Sequence, residues 1–327
     1  MKRILLILTG GTICSVANDE GKRDIDTENA KYKIVSEFKA SDSPFTSVVF
    51  DTRMPINTLS ESMTVEKWSL LLDELKKVNS DDYEGIIILH GTDTLAYTAS
   101  LLSLVMSEKG LPVCLVSSHS PIDDKNTNAN INFRAGVELI MNGIKPNVYA
   151  VYQNSDGKTY VHYSAHLLQC ANYSNDFYSR DAMAIESSHN ARLVGKDFEY
   201  SNGLLSKIDK LVPGVLFINP VVGMDYNCYN LDGVSAVVHT TYHSETVCVE
   251  GGNSSFAEFA ERCKKEGVSV ILTPCDKKAY SYVSTAAALK NDVIPVSGMT
   301  NEMAYVKAVV GCSLGLCGDA LAEFITN

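Results

Sequence analysis

The chain has 327 residues, too many for one small core and comfortable for two α/β domains. Hydrophobic residues make up 45% and charged residues 20%, an ordinary balance for a soluble globular protein, while the formal net charge of -11 excludes the basic footprint that nucleic-acid binding requires. Nine cysteines lie scattered with no CxxC spacing, which argues against a zinc site or disulfide framework and for reduced thiols in a cytoplasmic protein.

The opening MKRILLIL has an apolar run too short for a secretory leader, and it runs directly into Gly10 and Gly11, so 4–8 is read as a buried strand. No apolar stretch reaches the roughly 20 residues of a membrane span. The charged segment 17–31 follows that turn. Loops after strands in open sheets commonly cover ligands, so its position favours a lid over a plain surface loop. Trp68, Leu71, Leu72 and Leu75 recur at helical spacing within 65–78. A buried strand is predicted at 86–89, then the turn 90–94, then a helix from Leu95 to Met106 that Gly110 ends. A strand at 113–116, a helix at 131–141 and a strand at 148–152 complete the series. This alternation predicts a parallel sheet with helices on both faces.

A polar stretch rich in Ser and Asn, 176–210, separates this series from a second one. There the pattern predicts strands at 214–219, 234–239, 268–272 and 293–296, and helices at 255–265, 282–289 and 301–310. The predicted organisation is an N-terminal catalytic α/β domain over 1–195, a linker over 196–212 and a C-terminal α/β domain over 213–327.

Two strand-end turns carry chemistry. In Leu8-Thr9-Gly10-Gly11-Thr12-Ile13, two glycines let the chain turn sharply and set Thr12 at the sheet edge where α/β proteins bind ligands. The turn lacks the GxGxxG and GxxxxGKS/T spacings of phosphate loops. In His90-Gly91-Thr92-Asp93-Thr94, hydroxyls and a carboxylate again stand at a strand end. Alone, this turn reads as a helix N-cap. Together, threonines and an acid converging from two strands suit acyl transfer, in which one hydroxyl attacks a carbonyl and its neighbours accept the proton and hold the oxyanion. His90, at the end of an apolar strand, is read as a residue that orients the turn.

TGGTI at 9–13 and HGTDT at 90–94 resemble the two signatures of the bacterial-type L-asparaginase/glutaminase family, in its cytosolic type I-like form. LSESM at 59–63 is similar to the family's substrate-binding segment, and GMTNE at 298–302 resembles the start of its C-terminal helix. The resemblance covers nearly the whole chain. It implies a larger N-terminal flavodoxin-like domain with a parallel sheet, a smaller C-terminal α/β domain, and a homodimer or homotetramer with sites formed between subunits. It makes Thr12 the nucleophile, Thr92 the second threonine and Asp93 the acid that holds the substrate's ammonium. Ser60 would hold the α-carboxylate, and Glu61 stands where many members have glutamine. Gly11, Gly91 and Ser118 would give backbone contacts near the carbonyl. The substrate would be a small amino acid amide, and no metal or organic cofactor is implied.

Two positions depart from the family's pattern. Its lysine, which completes a proton relay, is missing from 161–168; the position falls on His162, His166 or Leu168, and a histidine there could serve as base. The tyrosine that many members carry after TGGTI is also missing, the stretch reading Glu20-Gly21-Lys22-Arg23. Three readings follow: an amidohydrolase that makes L-aspartate and ammonia from L-asparagine, a homologue that binds amino acids with little turnover, and an ammonia-supplying subunit of an amidotransferase.

Overall fold

A strand buried on both faces needs an unbroken apolar run, and RILLIL supplies one: five consecutive residues of the strand it forms are buried. The computed structural model describes residues 1–17, 23–179, 183–185, 203–276 and 282–327. The chain divides into two compact units, Met1–Lys207 and Ile208–Asn327. The expected linker, 196–212, lies in part outside the described residues.

The first unit contains β1 (Arg3–Leu8), β2 (Ser15–Ala17), β3 (Arg23–Ile25), α1 (Thr27–Ala40), β4 (Val49–Arg53), α2 (Val65–Lys76), β5 (Gly85–Leu89), α3 (Leu95–Val105), β6 (Val113–Val116), α4 (Ala129–Met141), β7 (Val148–Gln153), β8 (Thr159–Tyr163), β9 (Met183–Ile185) and α5 (Leu204–Lys207). Its main sheet runs β4-β1-β5-β6-β7-β8-β9. The first five strands are parallel, and β8 and β9 add antiparallel. From β1 the chain goes out to β4 on one side and returns to β5 on the other. That is the flavodoxin-like order, and it makes the carboxyl ends of β1 and β5 the topological switch point where ligands bind. The register pairs Leu8 with Leu89, so the two strands end level. Ile4, Leu6 and Leu8 on one face of β1 pack with Phe38 of α1 and Phe133 of α4 in one apolar cluster.

The segment expected as a lid over 17–31 is helical from Thr27 onward. Asp26 caps that helix, its carboxylate accepting from Asn29 N at 3.1 Å, and Ala30, Ile34 and Phe38 at a spacing of four residues bury its inner face. Glu20, Gly21 and Lys22 lie outside the described residues.

The second unit contains β10 (Val215–Ile218), β11 (Ala236–Thr240), α6 (Phe256–Lys265), β12 (Ser269–Thr273), α7 (Val283–Ala288), β13 (Ile294–Pro295), α8 (Asn301–Ser313) and α9 (Gly318–Thr326). Its sheet is parallel in the order β10-β11-β12-β13. Ala304 and Ala308 of α8 and Leu321 and Ile325 of α9 pack against Val238 and Ile271 of that sheet. Among the described residues, no helix is long and apolar enough to cross a membrane.

Candidate active site

The two threonine turns meet, and glycine is what lets them. Gly10 and Gly11 both take positive φ, 97° and 78°, which carries the chain from β1 into the short 3-10 turn Thr12–Cys14. A Cβ on Gly11 would lie 2.3 Å from Gly91 Cα, and one on Gly91 would lie 2.5 Å from Ser60 Oγ. The backbones of the β1 and β5 turns are therefore in contact, and the residue after each contact glycine is Thr12 or Thr92. Thr12 and Thr92 are both half-buried.

Hydrogen bonds fix the turns from below. Thr9 donates to Leu89 O from its backbone N at 3.1 Å and from its hydroxyl at 2.9 Å. The segment bearing Ser60 is tied in as well, with Gly11 N donating to Thr58 O at 2.9 Å and Thr58 N to Thr9 O at 3.1 Å. Gly11 O accepts from Cys14 N at 3.0 Å and Ser15 Oγ at 2.9 Å. With its N–H and carbonyl both engaged, Gly11 serves the site through close approach more than as a donor to a substrate.

His90 is fully buried, and burial pushes its pKa down to about 4, against weaker raising contacts from Gly91 and Asp93. Neutral, it fits one chain of donors. Trp68 Nε1 donates to Thr98 Oγ1 at 3.0 Å, the Thr98 hydroxyl pairs with His90 Nε2 at 2.9 Å, and Nδ1 meets Gly91 O at 2.7 Å. His90 thus holds the Gly91 carbonyl.

Asp93 is solvent-exposed, not buried. Its carboxylate accepts from the buried Ser60 hydroxyl at 2.8 Å, and its backbone N donates back to Ser60 Oγ at 3.2 Å. Thr94 Oγ1 donates to Ser60 O at 2.9 Å. A serine has one proton, and here Asp93 receives it, so Ser60 orients Asp93 and must turn its hydroxyl to meet a carboxylate. Glu61 is exposed, on the 3-10 turn Ser60–Ser62. Ser118 is buried, and its hydroxyl donates to Ser120 O at 2.6 Å within its own loop.

A cavity of about 290 Å³ opens beside Thr92 and Asp93, its walls including His119, Tyr152, Gln169 and Asn172. Gln169 Nε2 donates to the Asp93 carbonyl. The candidates at the family's lysine position fall elsewhere. His162 is buried on β8 with Nδ1 against Ser179 Oγ at 2.8 Å, and burial lowers its pKa to about 4. His166 ends the 3-10 turn after β8, and Leu168 is 45% exposed with its N–H on Tyr178 O at 3.0 Å. None of the three is among the residues lining the cavity. Sequence reasoning passed over His119 and Gln169. The signal for His119 was available: like Thr12 and Thr92, it follows a strand of the same sheet.

A family model described as Asparaginase, N-terminal matches residues 3–201. L-asparaginase 1 of Escherichia coli K12 is 34% identical over 133 residues, 40% of this chain, and the match spans 38% of that relative's length. A glutamyl-tRNA(Gln) amidotransferase component from Pyrococcus abyssi is 26% identical over 332 residues, covering 94% of this chain and 71% of the relative. The thermostable L-asparaginase from Thermococcus kodakarensis agrees in fold, with a TM-score of 0.76 at 20% identity over 99% of this chain and 97% of that one.

Proposed function

The chain belongs to the asparaginase family, and from that premise we propose that it is an amidohydrolase that converts L-asparagine to L-aspartate and ammonia through a Thr12 nucleophile. The observation that supports this reading is the contact between Gly11 and Gly91 at the switch point of the sheet, Thr12 and Thr92 being the residues that follow those two glycines. Thr12 Oγ1 would attack the side-chain carbonyl of the amide, expel ammonia and form an ester that water then cleaves. Asp93, oriented by Ser60 and exposed to an arriving ligand, would pair with the substrate's ammonium. The assembly proposed is a cytoplasmic homodimer or homotetramer.

Ammonia release from a panel of amides, with the chain alone, tests the reading. Asparagine is expected to turn over, and Thr12→Ala to lose all but about a hundredth of the rate, roughly 2.7 kcal/mol of transition-state stabilisation. A Thr12→Ala variant keeping more than about a tenth of the rate would remove Thr12 from the nucleophile role. Aspartate binding in a calorimeter without ammonia release would favour the second reading, a homologue that binds amino acids with little turnover. Its motive is that Leu168 and His162, two candidates for the family's lysine position, stand outside the cavity walls.

A further inference from the structure

The cavity beside Thr92 and Asp93 holds a side chain to which the mechanism above gives no task. His119 lines it, half-buried, just past the end of β6, the strand next to β5 in the sheet. Its backbone is pinned. His119 N donates to Asn128 Oδ1 at 3.2 Å, and Asn128 Nδ2 donates to Gln153 O at 2.8 Å, tying the loop to the end of β7. The preceding Ser118 hydroxyl closes the loop on Ser120 O at 2.6 Å, and Thr127 Oγ1 reaches the same carbonyl at 3.0 Å. These bonds tie the backbone that carries the imidazole into its own loop and to the end of β7, two strands from β5 in the sheet.

Activating a threonine hydroxyl requires a proton acceptor within direct or one-water reach. The other titratable groups lining the cavity are poorly suited. Asp93 already accepts from Ser60 and is the counter-charge for the ligand ammonium. Burial pushes the Tyr152 phenol up to about 12. Burial also raises the Cys170 thiol, whose sulfur lies 3.3 Å from each of the Ser174 and Asp176 carbonyls, so that its one proton is held between acceptors. Tyr173 is fully exposed. Histidine is the side chain best matched to proton transfer near neutral pH. The volume of about 290 Å³ has room for bridging water at roughly 30 Å³ per molecule.

We propose that His119 is the general base of this site, taking the proton of the Thr92 hydroxyl directly or through one water in the cavity. The proposal rests on the amidohydrolase reading. In acylation, the Thr12 O–H bond breaks as its oxygen bonds the substrate carbonyl carbon. That proton passes to Thr92 Oγ1, whose own proton passes to a ring nitrogen of His119. The imidazolium then returns a proton along the same path to the amide nitrogen, and ammonia leaves as the C–N bond breaks. In deacylation, water takes the place of ammonia. Its oxygen bonds the acyl carbon, its proton travels to His119, and the returned proton restores the Thr12 hydroxyl as aspartate departs.

The test compares His119→Ala and His119→Gln with the wild type on asparagine, with aspartate binding as the check that each variant is folded. Both are expected to lose about 100-fold or more in kcat, the usual size of a general-base contribution, with KM nearly unchanged. Added imidazole is expected to restore His119→Ala, where the ring's space is vacant, and not His119→Gln. A kcat for His119→Gln within threefold of wild type, or no imidazole rescue of a His119→Ala protein that still binds aspartate, would overturn the proposal while leaving the amidohydrolase reading standing. No ammonia from the wild type on any amide would overturn both.

Discussion

At the scale of single residues, the proposed mechanism divides the site into groups that would react and groups that aim them. Ser60 belongs with the second: its hydroxyl donates to the Asp93 carboxylate at 2.8 Å and accepts from Asp93 N at 3.2 Å. Ser60→Ala is therefore expected to weaken binding of aspartate by about tenfold, or roughly 1.4 kcal/mol, a hydrogen bond to a charged group being worth about 1.5–3 kcal/mol. Isothermal calorimetry reads this directly, and an unchanged affinity would show that Asp93 holds its place without Ser60. Asp93→Asn should lose more, since it removes the carboxylate proposed as the ligand ammonium's counter-charge. The exposure of Asp93 keeps that loss below what a buried carboxylate would give. Sequence indicated Thr12, Thr92 and Asp93 because their residue types and strand-end positions are local features. It could not reveal that the Ser60 proton is committed to Asp93, because that bond spans 33 residues and depends on how two loops fold against each other.

At the scale of elements, the site exists because the turns after two parallel strands touch. Gly91 has no positive φ to demand glycine, so space alone accounts for it: a Cβ would lie 2.5 Å from Ser60 Oγ and 3.0 Å from Gly11 Cα. Gly91→Ala must push the β5 turn away from β1 or dislodge Ser60. The expected outcome is a fall of about 100-fold in kcat/KM, because a displacement of about 1 Å is enough to cost that much in positioning. The accompanying loss of stability, read by urea unfolding, is expected to be about 1–3 kcal/mol, as for other overpacked sites. Full activity in Gly91→Ala would show that the Gly11–Gly91 contact is not what sets the threonines. The apolar runs made β1, β5, β6 and β7 legible in the sequence, since strands buried on both faces leave little choice of residue. β4 and β8 were not legible. β4 is partly exposed along its length and mixes Asp51, Thr52 and Arg53 with its apolar residues, and β8 carries His162 between Val161 and Tyr163. An edge strand and an antiparallel addition obey weaker patterning rules than a central parallel strand.

At the scale of the whole molecule, three of the buried histidines among the described residues tie stability to pH. His90 on Gly91 and Thr98, His162 on Ser179, and His239 on Thr240 and Tyr226 each have a pKa lowered to about 4, in every case mainly by burial. His239 follows the same plan in the second unit as His90 does in the first, with Nδ1 on the next residue's carbonyl at 2.6 Å and Nε2 on a hydroxyl at 2.9 Å. Each ring is neutral in the folded chain, while in the unfolded chain it titrates near its ordinary value of about 6.5. Between those values the unfolded state binds more protons than the folded one, so stability falls as pH falls through that window. Above about pH 7 the term vanishes, and below about pH 4 it is complete, at about 3 kcal/mol for each ring. Asp51, held down by its hydrogen bond to Arg3, and Glu74, held down mainly by Lys77, give up their contributions only at lower pH. Urea unfolding of the full chain is thus expected to show a midpoint nearly flat from pH 7 to 8 and declining steadily from about 6.5 to 4. Because each unit carries at least one such ring, both units weaken within the same window. His162 has the least to lose by replacement, since its Nε2 is buried with no hydrogen-bond partner among the described residues. In His162→Gln the decline between pH 6.5 and 4 should shrink by up to about 3 kcal/mol, the contribution of a single ring. An undiminished decline in that variant, measured beside the wild type, would mean that His162 titrates alike in the folded and unfolded chain, and its burial would then carry no pH dependence.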